Sequence, residues 1–141
     1  MSFREQSAWA MGIILTVAGL LYFGKVFAAS QALGATAPPI IAFVVIYAVL
    51  VVIASIIVMS PLAAFQAEAA NAPADERERI ILNQAGNWAG YVLAFGVATG
   101  LFHFWVQRDG NMLFHIAFAS LMASQISEYA FQIFLYRRGH A

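Results

Sequence analysis

The chain has 141 residues, of which 62% are apolar and only 10% charged, and its formal net charge is zero. A soluble domain covers itself with about a quarter charged residues, so this exterior faces something other than water. The neutral balance excludes a phosphate-binding surface, which needs a lysine and arginine patch, and so argues against direct nucleic-acid binding. With no cysteine, disulfides, thiolate chemistry and cysteine-based metal sites are excluded.

A helical span needs about 20 mostly apolar residues. Intervals nearly free of charge place four of them, over 8–28, 39–60, 86–106 and 112–136, with Lys25 near the end of the first and Glu128 within the last. The first is longer than a signal-peptide core and reads as a retained span. The second contains IIAFVVIYAVLVVIASIIV. Its β-branched run would suggest a strand in water, but its length sets it as a helix. Pro38 and Pro39 open it, where a missing N–H costs nothing, and Pro61 closes it. Inside a bilayer each segment must satisfy its own backbone hydrogen bonds, so all four are helices.

The connection 61–85 is the one sizeable loop, alanine-rich up to Pro73. Asp75 and Glu78 then have capping-box spacing. This predicts a helix from Glu76 that runs unbroken into the third span and projects two to three turns beyond it. QRDGN at 107–111 is a tight turn, making the last two helices antiparallel neighbours. With the N-terminus inside, the cytoplasmic side carries Arg4, Arg77, Arg79, Arg137 and Arg138, against Lys25 and Arg108 outside. That positive-inside bias sets both termini in the cytoplasm. The expectation is a single all-α transmembrane domain over 1–141, a four-helix bundle with its third helix extended into the cytoplasm.

Glu128 is the one carboxyl within a span. Such a group costs roughly 2.5–3.5 kcal/mol at mid-membrane on insertion scales if it behaves like Asp, so it is expected to face the bundle interior. Ser120, Ser124, Glu128 and Gln132 recur at i+4 and form one polar stripe. At the matching depth on the third helix stand Asn87 and Tyr91, the expected hydrogen-bond partners of Glu128. The stripe reads as a packing device, a proton- or ligand-responsive switch, or part of an ion pathway. His103 and His115 flank Asp109 symmetrically, which invites a metal or haem reading. Helices joined by a tight turn pack about 8–10 Å apart, too close for a porphyrin between two imidazoles, and zinc needs three or four ligands. Hydrogen-bonding histidines are therefore the default, and no metal or cofactor is expected.

Gly12, Thr16 and Gly19 mark one side of the first helix. Gly86, Gly90, Ala94 and Ala98 mark one side of the third, with Gly96, Gly100 and His103 on another. Small-xxx-small faces let helices approach closely, within the bundle or in a homodimer. Phosphate-loop, dinucleotide, zinc-protease and nucleophile-elbow motifs are absent from the sequence, so a non-enzymatic role is expected.

Three blocks, MSFREQSAW, PADERERI and SEYAFQIFLYRRG, resemble the small four-span bacterial membrane proteins of unknown function, especially their proteobacterial members. The resemblance implies a non-enzymatic inner-membrane protein of a kind frequently encoded beside a small helix-turn-helix regulator. On that analogy Asp75, Glu76, Arg77, Glu78, Arg79, Arg137 and Arg138 form a docking face for a cytoplasmic regulator. Two other readings stand beside it: a small-ligand or ion-binding membrane protein centred on Glu128, and a structural subunit of a larger membrane complex.

Overall fold

The computed structural model describes residues 2–138; Met1 and 139–141, the ends of two of the blocks quoted above, lie outside them. The described residues form helices joined by short loops, without a strand. In chain order the helices are α1 (Phe3–Leu33), α2 (Ile41–Phe65), the short α3 (Ala67–Asn71), α4 (Glu76–Gln107) and α5 (Gly110–Arg138). Three of them, α1, α2 and α4, are long and apolar enough to cross a membrane. At 1.5 Å per residue α4 is about 48 Å long, more than the roughly 30 Å of a hydrocarbon core.

The helix ends follow from local chemistry. Ser2 caps α1, its side chain accepting from the Glu5 N–H, and Gly34 ends the helix in the left-handed region at φ 65°, where a missing Cβ removes the strain. Asp75 and Glu78 form the full capping box at the start of α4, so that helix begins at Glu76, where the sequence spacing sets it. Asp109 caps α5: its side chain accepts from Met112 N at 3.0 Å and its carbonyl from Leu113 N at 3.1 Å. Pro61 does not close α2, which continues through it to Phe65. In an apolar setting, unwinding would expose several backbone groups, whereas an internal proline forfeits about one hydrogen bond.

Packing pairs fix the topology. Gly100 against Ile116, Gly96 against Ser120, and Trp88 against Phe131 run α5 antiparallel to α4. Gly19 against Met122, Gly12 against Tyr129, and Tyr22 against Phe118 run it antiparallel to α1 on its other side. Helix α2 packs back along α1, with Gln66 donating to Gln6 at 2.8 Å and Tyr47 touching Tyr22. The helices therefore lie in the order α2, α1, α5, α4, and among the described residues neither α1 nor α2 packs backbone-to-backbone on α4. This is an open row rather than a closed ring of four.

That row explains the distribution of polarity. Helix α5, one of the two inner members with α1, buries His115, Ser120, Met122, Ser124, Gln132 and Tyr136. Its polar side chains are sheltered by neighbours on two sides. Helix α2 has no buried residue, and its β-branched surface is the most apolar of the set. Of the small faces expected to pack, Gly12 and Gly19 of α1 and Gly96 and Gly100 of α4 meet α5, while a Cβ at Gly86 or Gly90 would meet nothing within 4 Å.

Candidate functional site

Polar chemistry gathers in three places along this row: the seam between α4 and α5, the end carrying both described termini, and the opposite end.

At the seam, α4 turns Ala85, Ala89 and Gly100 inward. Ser124 uses the absence of bulk there, its Oγ donating to Ala89 O at 2.9 Å in a buried hydrogen bond between helices. Ser120 Oγ donates within its own helix to Ile116 O at 2.6 Å and lies against Gly96, where any Cβ would collide with it. Gln132 is buried and donates from Nε2 to Glu128 Oε1 at 3.4 Å, while Glu128 itself is half-buried. The expected stripe is thus one row, with its serines and Gln132 enclosed and its carboxyl at the edge. The hydrogen bond expected from Asn87 or Tyr91 to Glu128 does not form. Asn87 is exposed, and Tyr91 is 73% exposed. Both lie two residues from Ala89, about 200° around the helix from the face that α5 covers. Matching depth placed them correctly along the axis but not around it.

One end of the row gathers the start of α1, the loop before α4, the start of α4 and the end of α5. Arg4 joins three of these: Nε donates to Glu78 Oε2 at 2.9 Å and Nη2 to Ala72 O at 3.1 Å. Glu78 also accepts from Asp75 N at 3.3 Å, completing the capping box. Glu5, 4% exposed, lies 3.9 Å from Arg137 Nε, and the Arg137 guanidinium sits 5.3 Å over the Trp9 ring. Of the residues expected to dock a partner, Asp75, Glu78 and Arg137 are therefore used within the chain. Glu76, Arg77, Arg79 and Arg138 are exposed, the last with its guanidinium 4.6 Å over Phe134. Glu5 was missed by sequence reasoning. A glutamate in a first helical turn reads as a dipole partner, and nothing local marks it as buried.

At the opposite end the segment between α1 and α2 is strapped onto α5. Thr36 Oγ1 donates to Asp109 Oδ2 at 2.9 Å, and Asn111 Nδ2 donates to Thr36 O at 3.4 Å. Ala37, only 1% exposed, donates from N to Ser30 Oγ at 3.0 Å, and its carbonyl accepts from His115 Nε2 at 2.8 Å. The Met112 N–H and the Thr36 hydroxyl hold the Asp109 carboxyl below its ordinary value of 3.8 by favouring its charged form. His115 is buried at 6% exposure, whereas His103 is half-buried. The two do not combine: among the described residues no three His, Asp or Glu side chains stand close enough to hold a metal ion.

No family model, curated protein or solved structure matches this chain. Function is therefore read from these three clusters.

Proposed function

We propose that this chain is a four-span protein of the bacterial inner membrane that works without catalysis, as an accessory partner of a cytoplasmic regulator. The observation that carries the proposal is the end cluster. Exposed Arg77 and Arg79 of α4 and Arg138 of α5 are gathered at one end. The Arg4–Glu78 ion pair ties α1 to α4 there, and the Glu5–Arg137 contact ties α1 to α5. Five of the seven basic residues lie at this end, which supports a cytoplasmic assignment by the positive-inside rule.

The fourth span is α5. Its 29 residues are about as many as its neighbours have, and it follows α4 from Gly100 to Trp88. A helix so paired enters the membrane with its partners, and its polar groups are tolerated because they face protein. The seam supports a role in which the membrane part signals to that partner: Ser124 joins the two helices that carry the exposed arginines. A shift of α5 against α4 moves Arg138 relative to Arg77 and Arg79. The resemblance to four-span proteins encoded beside helix-turn-helix regulators agrees with this reading.

Photo-crosslinking in native membranes tests it. A photoreactive side chain at position 76, 79 or 138 is expected to give one discrete protein adduct, lost when Arg77 is changed to Glu. Adducts to lipid alone at all three positions would overturn the docking role. The uncovered apolar surface of α2 favours a second reading, a subunit of a homodimer or larger complex. It predicts adducts at positions 49 and 53 to a fixed membrane partner.

A further inference from the structure

Helices α1 and α2 leave a narrow cleft of about 230 Å³ between them. Ala18 and Tyr22, both buried, line it, and so do Leu21 and Ile46, which are 54% and 59% exposed. The cleft is therefore open along its side to whatever surrounds the helices. Its residues run from Ala18 to Lys25 on α1 and, in the opposite sense, from Leu50 to Phe43 on α2. Seven residue steps on each helix make it about 10 Å long. It is smaller than the roughly 300–1,000 Å³ that enclose a whole small molecule. A long, narrow, apolar space of this kind suits a single hydrocarbon chain.

Lys25 stands at the end of this cleft nearer the strapped segment. It is the sole lysine of the chain. It is exposed, and no carboxylate among the described residues forms an ion pair with it. Its position makes that unusual, because it falls three residues inside the apolar stretch 8–28. A charge so placed is costly unless its side chain reaches the interface or meets a counter-charge. Three residues are about 4.5 Å of helix, a distance that the four-carbon stem of lysine covers. The ammonium then lies at the level where lipid head groups begin. The other charged residues toward this end are Arg108 and Asp109. Asp109 is taken up by Thr36 and the Met112 N–H, so the protein supplies Lys25 with no counter-ion.

We infer that the cleft holds one acyl chain of an anionic phospholipid, whose phosphate pairs with the Lys25 ammonium. The order of the parts selects this occupant: a cation at the membrane surface and an apolar groove running inward from it. A zwitterionic phospholipid brings its own ammonium beside Lys25, where the cleft lining has no carboxylate to receive it. A second copy of the chain would have to supply an acid at this depth. Its one carboxyl within a span, Glu128, lies toward the opposite end of the row. The inference needs α1 and α2 in a bilayer and is independent of the docking role of the arginine cluster.

The test uses phosphatidylglycerol and phosphatidylethanolamine that carry the same diazirine-bearing acyl chain. Each is a minor component of phosphatidylcholine nanodiscs holding the full chain, and the adducts are mapped by mass spectrometry after illumination. Phosphatidylglycerol adducts are expected to concentrate within 18–25 and 43–50 and to saturate at one per chain. They should exceed those of phosphatidylethanolamine about fivefold, as one lysine beside an anionic lipid implies. Lys25→Met keeps the bulk of the stem and removes the charge, so the two lipids should then label alike, whereas Lys25→Arg should keep the preference. In the unchanged chain, ¹⁵N labelling of lysine gives a single side-chain resonance that reads the same contact without a variant. It should shift saturably with phosphatidylglycerol and not with phosphatidylethanolamine. Equal labelling by the two lipids in the unchanged chain, adducts spread evenly over the four long helices, a preference that survives Lys25→Met, or an unmoved lysine resonance would overturn the inference.

Discussion

Replacing Gly96 by alanine tests the seam most sharply. A Cβ there collides with Ser120 Oγ and stands 2.6 Å from Ser120 Cβ and 3.4 Å from its Cα. Rotating the hydroxyl away clears only the first of these, so the helices themselves must part. Overpacking of this kind costs about 1–3 kcal/mol. Separation also stretches the Ser124–Ala89 hydrogen bond, 2.9 Å long, and such a bond between membrane helices is worth about 0.6 kcal/mol on average. Less the roughly 0.5–1 kcal/mol by which a helix favours alanine over glycine, Gly96→Ala should destabilise the fold by about 1–3 kcal/mol, roughly 5- to 150-fold in the unfolding equilibrium. Ser120→Gly should restore most of that loss in the double variant by removing the side chain that is struck. Gly90→Ala is the matched control. Nothing lies within 4 Å of its Cβ position, and in a helix alanine is favoured over glycine by roughly 0.5–1 kcal/mol. Unfolding in mixed micelles of increasing denaturing-detergent fraction, followed by tryptophan fluorescence, gives the three values. Equal stability of the Gly96→Ala and Gly90→Ala variants would refute the packing of α5 on this face of α4.

Three further outcomes are expected. Ser124→Ala should cost about 0.5–1.5 kcal/mol in the same titration, since it leaves Ala89 O without the interhelical donor, whereas Ser127→Ala should cost less. Arg4→Ala should leave global stability within about 1 kcal/mol, because the Arg4–Glu78 pair is part-exposed, at 30% and 21%. It should nevertheless raise hydrogen exchange and protease cleavage across 66–75, where Arg4 also holds Ala72 O; unchanged protection would remove the latch. Asp109 has a folded value lowered below 3.8, so its stabilising contribution is fully present above about pH 4 and lost as pH falls through the lowered value. Hydrogen exchange at Thr36 and Met112 should therefore rise at that acid limb and be already high, and flat with pH, in Asp109→Asn. A limb that persists in the variant would assign it elsewhere.

Elements were legible where a local rule decides them. The start of α4 follows from Asp75 and Glu78 alone, and the turn between α4 and α5 from Asp109 and Gly110, because caps and turns are settled within a few residues. The stripe on α5 was legible because i+4 spacing puts Ser120 and Ser124 on one face whatever the surroundings. Its partner was not, because helix rotation is set by packing. Gly96 and Gly100, rather than Gly86 and Gly90, meet α5, and that choice turns Asn87 and Tyr91 outward. The arrangement around His115 was invisible for a related reason. Its partner Ala37 lies 78 positions away, and the bond is to a backbone carbonyl, which leaves no mark in residue type. Glu5 is similar: the charge it faces, Arg137, lies at the far end of the chain.

Helix α5 is proposed to cross the membrane beside α4, although only α1, α2 and α4 are by themselves long and apolar enough to do so. The sequence holds no cysteine, so single-cysteine variants Ser2→Cys, Gly110→Cys and Arg138→Cys can be labelled in intact bacteria with a membrane-impermeant maleimide. Position 110 should be labelled from outside, and positions 2 and 138 only after the membrane is opened. Labelling of 110 and 138 from the same side would contradict the four-span account.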